Sequence, residues 1–376
     1  MTLNIKIKTG LFLLLIVITY FLSGKSNAIE IYEQHAISMH GNPEADMPFD
    51  SYQHARVDAS QGGILKLASL GTYDSMNPFI VKGRSAYGIR NYIFESLLSR
   101  NYSEPFSLYG LIAEKIIFPE DRKWIEFHIN EEAKFSDGNK INPSDVLFSF
   151  NQLREFGRPN HRNYYSRVKD VQITSRNSIK FNINEKDNDR ELILILGLMP
   201  ILPQHIYKDG KFREADLDIP IGSGPYTVQK FDQGKNVTYI KDPNYWAKDL
   251  DVNGGMHNFE KISVDYYLDD SSRFEAFKAG LFDFYQIWDP TRWNKLKSEK
   301  NVANGNIVLL NIPRKTPAGM LGLALNTRRE KLSNVNIRMA LSTLFDFKWI
   351  NKNLYHGLYK RTTGFYDNSY LSSIDS

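Results

Sequence analysis

The chain of 376 residues contains no cysteine. A protein without thiols forms no disulfide framework, has no thiolate nucleophile or thiolate metal site, and offers no cysteine for a lipid anchor. The motifs H-E-x-x-H, G-x-S-x-G and the phosphate-binding GxxxxGK followed by Ser or Thr are missing as well. Enzymes built on these motifs are therefore not predicted, and we expect no cofactor.

Excess charge of either sign is also missing from most of the chain. Lys6, Lys8 and Lys25 lie in the first 28 residues, which contain no acidic residue. The other residues carry 44 Lys and Arg against 43 Asp and Glu, a formal charge of +1 instead of the +4 of the whole chain. A chain so close to neutral gives no reason to expect a nucleic-acid partner.

The apolar run near the N-terminus is too short to span a membrane. It covers 12 residues, Leu11 to Leu22, whereas a span needs about 20. Lys6 and Lys8 precede it, and the small residues Ser26-Asn27-Ala28 follow it. This pattern predicts a secretory signal peptide over residues 1–28, cleaved after Ala28, with an uncleaved membrane anchor as the alternative.

The rest of the chain has enough apolar residues for a folded core, with 42% hydrophobic residues overall. Residues 29–60 are polar and irregular, which predicts an extended arm, and the apolar run at 192–207 predicts a buried crossover. Alternating apolar residues predict strands at 64–68, 171–183 (two strands around Asn177), 226–228, 237–239, 262–268, 281–288 and 321–325. Helical spacing predicts helices at 85–100, from Ser271 or Ser272 to Gly280, and at 335–350. Mixed strands and helices indicate an α/β fold.

One stretch, from Trp124 to Phe150, predicts a strand, a turn and a helix in succession. Apolar and polar residues alternate from Trp124 to Ile129, as in a half-buried strand. The composition at 136–139, Ser-Asp-Gly-Asn, is typical of a turn. Asn142 is placed to cap a helix that starts at Pro143 and carries Asp145 at its third position.

This stretch resembles the signature region of the bacterial extracellular solute-binding proteins of family 5, the oligopeptide-, dipeptide- and nickel-binding components of ABC importers. The matching residues are Trp124, Phe127, Phe135, Ser136, Asp137, Gly138, Asp145, Val146, Phe148 and Ser149. In the strand, one of these residues is shifted relative to its place in the family pattern. Further landmarks follow in the family's order: GSGPY at 222–226, DPNYW at 242–246 and LNTRREKLSNVNIRMALSTLFD at 325–346.

Within the family, the chain is most similar to the branch typified by the microcin C-type peptide importer. The segments GTYDSMNPF at 71–79 and EPFSLYGLIAE at 104–114 carry this resemblance. Family members continue beyond the position of Ser376. The resemblance therefore implies a second lobe that is incomplete, without the later carboxylate that pairs with a peptide's amino terminus in peptide-binding members.

The resemblance also implies a domain organisation, a bilobal periplasmic-binding-protein type II fold of the peptide-binding class. Residues 61–83 and 200–318 are expected to form lobe one, and residues 84–199 an accessory lobe inserted in it. Residues 29–60 remain the N-terminal arm, and residues 319–376 are expected to begin lobe two. The strand, turn and helix of the signature region then have a structural role in the accessory lobe.

Four residues are candidates for ligand binding: Tyr73, Asn77, Trp288 and Asp289. Tyr and Trp suit pockets that accept varied side chains, because their rigid rings are apolar with one polar group. Each also has a plain structural alternative. Tyr73 and Trp288 would serve equally as core residues, Asn77 before a proline as a turn residue, and Asp289 as a strand end.

A hinge between the lobes is expected at Gly222, Gly224 and Pro225, because glycine allows backbone angles that other residues avoid. The glycine pair around Ser223 lacks the spacing of a serine nucleophile. Isolated His35 and His40 could approach a metal ion, but their spacing does not predict a metal site.

The resemblance implies a periplasmic, monomeric solute-binding protein that binds oligopeptides or peptide-like compounds and delivers them to an inner-membrane ABC permease. It implies no catalytic residue and no enzyme activity. Two alternatives remain at this stage: a non-transporting fragment of a split or degraded binding-protein gene, and a secreted hydrolase. The second would need a nucleophile, a base and oxyanion donors that no motif in the sequence supplies.

Overall fold

The structure is a computed structural model that describes residues 29–44, 50–104, 106–184, 186, 189–313, 317–369 and 372. The predicted signal peptide at 1–28 lies outside the described residues. The strands are β1 Ile31–Gln34, β2 Ala36–Ser38, β3 Ile64–Leu70, β4 Leu98–Arg100, β5 Ser107–Gly110, β6 Ala113–Pro119, β7 Trp124–Ile129, β8 Val168–Ile173, β9 Ser178–Ile183, β10 Tyr226–Asp232, β11 Asn236–Lys241 and β12 Lys261–Tyr267.

The α-helices lie mostly in the second half of the chain. They are α1 Pro143–Phe156, α2 Pro159–Tyr165, α3 Glu191–Gly197, α4 Gln204–Tyr207, α5 Asp270–Lys278, α6 Pro290–Lys297, α7 Lys300–Ala303, α8 Glu330–Ser333, α9 Val335–Thr343 and α10 Phe347–Leu354. A π-helix covers Ile89–Ile93, and short 3-10 helices cover Lys211–Arg213 and Asp251–Asn253. The α/β class is confirmed.

A five-stranded antiparallel sheet, in the order β1-β6-β7-β9-β8, contains the signature strand. In β7 the buried side chains are Ile125, Phe127 and Ile129, which alternate with half-buried residues. Helix α1 buries Val146, Phe150 and Leu153 as its apolar spacing requires. The predicted strand and helix are therefore confirmed.

Helix α1 begins at the predicted cap, Asn142, which forms a capping box with Asp145. The Asn142 side chain accepts from the backbone N–H of Ser144 at 3.0 Å, and the Asp145 carboxylate accepts from the backbone N–H of Asn142 at 3.1 Å. Before it, the Asp137 carboxylate accepts from the backbone N–H of Asn139 and contacts His205 Nε2 at 2.6 Å. These bonds close the turn and fasten it to α4.

Replacing Gly138 by valine is expected to destabilise the fold by about 1–3 kcal/mol. Gly138 has a φ of +88°, and no atom lies within 4 Å of the position that a Cβ would take. The cost therefore comes from the backbone conformation, which a β-branched residue strongly disfavours. Thermal melting of Gly138→Val and Gly138→Asn tests this, because Asn tolerates the left-handed region and should lose much less. Equal melting of both variants and the parent would contradict the account.

The first residues of the predicted arm form strands. β1 pairs antiparallel with β6, and β2 pairs antiparallel with β5 in a three-stranded sheet of order β2-β5-β4. The side chain of Glu104 also accepts from the backbone N–H of Glu44 at 2.8 Å. The arm thus docks by backbone pairing to strands about 80 residues away, which its polar composition did not predict.

The third sheet has the order β10-β11-β12-β3 and confirms the strands predicted at 64–68, 226–228, 237–239 and 262–268. β10, β11 and β12 are antiparallel neighbours, but β12 pairs parallel with β3, from Lys261 opposite Ile64 to Tyr267 opposite Leu70. Helix α5 follows β12. Its cap is Asp269, which accepts from the N–H groups of Ser271 and Ser272, rather than either of those serines.

The helix predicted at 85–100 is mostly wrong, because only the π-helix Ile89–Ile93 forms within it, preceded by a bridge at Ser85 and a turn. Phe94 is extended, with φ −111° and ψ 130°. The Glu95 carbonyl accepts from Ile201 N–H at 3.0 Å, and the Leu97 carbonyl accepts from the N–H groups of Leu111 and Ala113. These carbonyls are engaged by distant segments, so tertiary pairing overrides the local helical spacing. The predicted crossover at 192–207 is mostly buried from 192 to 203 and contains most of α3, but α4 at its end has no buried residue.

Three predictions in the last third also fail or change. Residues 281–288 form no strand, although Asp283 N–H donates to the Lys66 carbonyl of β3 at 2.8 Å. Residues 321–325 form no strand either, since no described segment pairs with them. The helix predicted at 335–350 consists of two helices, α9 and α10, which are separated at Leu344–Asp346.

Candidate ligand-binding site

The parallel pair β3 and β12 defines the edge at which a ligand site is expected. In open α/β sheets, ligands bind outside the carboxyl ends of parallel strands. Here those ends are Leu70 and Tyr267, and Gly71 N–H donates to the Tyr267 carbonyl at 2.8 Å to extend the ladder. Leu70, Tyr87 and Leu268 expose large apolar surfaces in this region, with Leu268 87% exposed.

Tyr73 lies in the loop that leaves β3, with only 1% of its surface exposed. Its hydroxyl donates to the carbonyls of Asp232 and Asn236, at 3.1 and 2.7 Å, and its ring lies 5.0 Å from that of Tyr266. Burial raises the pKa of the hydroxyl to about 12. The buried ring of Tyr73 supports the loop. Direct contact of Tyr73 with a ligand stays a prediction.

Asn77 shapes the next part of the same loop. Its Nδ2 donates to the carbonyls of Phe212 and Glu214, at 2.7 and 3.1 Å. Its Oδ1 accepts from the backbone N–H of Phe79 at 3.0 Å. The buried amide therefore holds the turn at residues 77–79 in place. Direct binding of a ligand by Asn77 also stays a prediction.

Trp288 and Asp289 lie on a different segment, directly before α6. The Asp289 carboxylate caps α6 by accepting from the N–H groups of Thr291 and Arg292, at 2.7 and 3.3 Å. Trp288 is 68% exposed, and its carbonyl accepts from the Tyr359 hydroxyl at 3.2 Å. Asp289 thus has a clear local role, and binding of a ligand by Trp288 or Asp289 stays a prediction.

The predicted hinge glycines pack closely against another segment. A Cβ on Gly222 would lie 2.1 Å from the Ile93 carbonyl oxygen, and one on Gly224 would lie 2.4 Å from the Tyr92 carbonyl oxygen. Gly224 N–H donates to the Ile93 carbonyl, and the Gly222 carbonyl accepts from Ser136 N–H, both at 2.8 Å. Close approach of two backbones explains both glycines. A hinge at Gly222, Gly224 and Pro225 stays a prediction.

Sequence reasoning missed the residue that organises this region, Glu95. Its buried carboxylate accepts from the Tyr245 hydroxyl and from Trp246 Nε1, the latter at 3.0 Å. Burial raises the pKa of Glu95 to about 7, partly offset by these hydrogen bonds. Glu95 joins the segment at 93–98 to the DPNYW segment at 242–246. The sequence offered one signal for Glu95, a single carboxylate inside the apolar run at 93–98.

The described residues contain no group of three or more acidic, histidine or cysteine side chains arranged to hold a metal ion. No helix among the described residues has the length and apolar character needed to cross a membrane.

Comparison with known proteins identifies the family. The model of the bacterial extracellular solute-binding proteins, family 5, matches residues 107–375. A Brucella suis protein named as a binding protein is 40% identical over 356 residues, which cover 92% of this chain and 58% of that protein. The peptidoglycan-binding protein YepA of Agrobacterium fabrum is 36% identical over 353 residues, covering 90% of this chain and 57% of YepA.

Solved structures share the fold. NikA from Brucella suis, in complex with Fe(III)-EDTA, matches with a TM-score of 0.66 and 19% identity, covering 81% of this chain and 58% of NikA. The oligopeptide-binding protein AppA from Bacillus subtilis, in complex with a nonapeptide, matches with a TM-score of 0.60 and 20% identity, covering 79% of this chain and 56% of AppA.

The chain thus spans somewhat under three-fifths of the length of the curated relatives quoted above. Both the family match and the identity to these relatives extend over most of the chain. The chain belongs to the bacterial extracellular solute-binding proteins of family 5.

Proposed function

We propose that the protein is the periplasmic solute-binding component of an ABC importer, that it binds peptides or peptide-like compounds, and that it passes them to the membrane permease. The observation that carries the proposal is the exposed edge at the carboxyl ends of β3 and β12. Leu70, Tyr87 and Leu268 offer apolar surface there, and Asn77 holds the adjoining loop rigid. A cleft that binds solutes with apolar groups needs a wall with such apolar surface and a fixed loop beside it.

Two comparisons favour peptide-like solutes. YepA is named for binding peptidoglycan, and the AppA structure contains a nonapeptide. We propose that the protein acts as a monomer without catalysis. Its more specific placement in the microcin C-type branch stays a prediction.

We further propose the domain boundaries that the resemblance implied. Residues 61–83 and 200–318 would form lobe one, and this is supported by the four-stranded sheet, since β3, β10, β11 and β12 all fall within these ranges. Residues 84–199 would form the accessory lobe, which is supported by the grouping of β6, β7, β8 and β9 in one sheet. The arm adds β1 and β2 to the edges of accessory sheets.

Residues 319–376 would begin lobe two. Support comes from the apolar side chains that the described part of this segment leaves in solvent, which include Leu321 at 103% exposure and Leu323 at 93%. In α9 and the residues after it, Ile337, Leu341 and Leu344 are exposed as well. Side chains of this kind are normally covered in a folded lobe, so we propose that they pack against a further part of the lobe.

Calorimetric titration with a mixed peptide library tests the function. We expect micromolar binding by a version extended with the downstream segment of a family member. Binding by the 376-residue chain alone should be at least tenfold weaker, because a closed site needs both walls and a charge-assisted bond to the ligand's amino terminus. Free amino acids of the same composition serve as the control.

Two results would count against this account. If neither version binds peptides, the peptide-binding function is wrong. If the 376-residue chain alone binds with micromolar affinity, the proposed division into a complete and a partial lobe is wrong.

A further inference from the structure

Three basic side chains meet beside the turn at Pro78 and Phe79. Arg158 Nε donates to the Pro78 carbonyl at 2.9 Å, and its backbone N–H donates to the Phe79 carbonyl at 2.9 Å. The guanidinium carbon of Arg90 lies 5.9 Å from the centre of the Phe79 ring. His161 follows Arg158 by three residues, in the first turn of α2, and the charges of Arg90 and Arg158 both act on it. All three side chains belong to half-buried residues.

Among the described residues, no acidic side chain forms an ion pair with either arginine of this group. Arg90 instead donates to the carbonyls of Phe94 and Leu198, at 3.0 and 3.4 Å. A guanidinium carries five donors, so these bonds leave donors on both arginines unused. Charges that are partly removed from water without a counter-charge are costly, so the site favours an anion.

His161 gives a second, independent indication. Its Nδ1 is buried and has no hydrogen-bond partner among the described residues. Burial, together with the charges of Arg90 and Arg158, lowers the pKa of His161 to about 4. The tyrosines that face this group are Tyr165, whose ring stacks 5.8 Å from His161, and Tyr102, which acts on Arg90. The local environment is thus positive and offers an unused ring nitrogen.

The cluster adjoins the loop that leaves β3. Asn77 also holds this turn, because its Oδ1 accepts from the Phe79 N–H. The turn therefore connects the cluster to the edge at the carboxyl ends of β3 and β12. We propose that Arg90, Arg158 and His161 bind a carboxylate of the solute. The inference rests on the proposed solute-binding function and adds the chemistry of the ligand. The planar guanidinium fork matches the two oxygens of a carboxylate.

The test uses the 376-residue chain and the tripeptide Ala-Leu-Ala, either as the free acid or as its C-terminal amide. Nuclear magnetic resonance follows the imidazole of His161, assigned with the variant His161→Gln. The free acid should raise the pKa of His161, since a nearby negative charge favours the protonated ring. It should act at concentrations at least tenfold lower than the amide, as expected for a charge-assisted hydrogen bond.

Arg158→Gln should remove this tenfold preference, whereas Arg162→Gln should keep it. Arg162 has the same charge and is exposed on the same helix, so it is the matched control. Thermal melting checks that both variants fold. A third measurement replaces the peptide by inorganic phosphate, which should change the pKa of His161 less than the free acid does.

Three results would overturn the inference. They are equal effects of acid and amide, an unchanged preference in Arg158→Gln, and an equal effect of phosphate, which would indicate a general anion site. If the extended version nonetheless binds peptides by calorimetry, the proposed function stands and only the carboxylate site fails. If no peptide binds to either version, both proposals fail together.

Discussion

Replacing Glu95 by alanine is expected to destabilise the fold by about 2–5 kcal/mol at pH 5, because two buried donors lose their acceptor and each unsatisfied donor costs about 1–3 kcal/mol. The substitution removes the acceptor shared by the Tyr245 hydroxyl and Trp246 Nε1. It also leaves a cavity in the core. Urea unfolding measures the loss. Glu114→Ala removes an exposed carboxylate nearby in sequence and should change stability by about 0.5 kcal/mol or less. A similar small change in Glu95→Ala would contradict the role given to this residue.

The same residue should make stability depend on pH. Burial raises the pKa of Glu95 from 4.5 to about 7, so the folded state binds the proton more tightly than the unfolded state. The resulting stabilisation is fully present below pH 4.5 and is lost as the pH rises through 7. The parent should therefore lose about 3 kcal/mol relative to Glu95→Gln between these limits. If the free energy of unfolding changes with pH equally in the two proteins, the pKa of Glu95 is not raised in the folded state.

Replacing Gly222 by alanine is expected to destabilise the fold by about 3 kcal/mol or more, at the upper end for overpacking. The new Cβ would lie 2.1 Å from the carbonyl oxygen of Ile93, so one of two backbone segments must move. Both segments are fastened, since Gly224 N–H donates to that same carbonyl at 2.8 Å. A backbone clash cannot be relieved by rotating a side chain, which is why the expected loss is large.

Gly322→Ala is the matched control, because no atom lies within 4 Å of the position of its Cβ. It should leave the melting temperature nearly unchanged. If Gly222→Ala melts like the parent but alters solute binding in the extended version, Gly222 serves as a hinge rather than as a packing glycine.

The sequence predicted best those features whose interactions lie within a few residues. The cap of α1 at Asn142 and the carboxylate of Asp145 are three positions apart, so composition and spacing were enough to locate both residues. The turn at Gly138 and the alternation in β7 are local in the same way. The family landmarks at 222–226 and 242–246 were also visible in the sequence, although not what they contact.

Only the tertiary structure decided the features that depend on distant partners. Of the helix predicted at 85–100, only the π-helix at 89–93 forms, and the residues after it pair instead with residues near 111 and 201. Glu95 meets Tyr245, 150 positions later in the chain. Arg90 and Arg158, 68 positions apart, come together around Phe79. Local spacing records the preference of one segment for a helix or strand. It does not record which distant backbone satisfies a carbonyl or which buried charge lacks a partner, because these depend on how the segments pack.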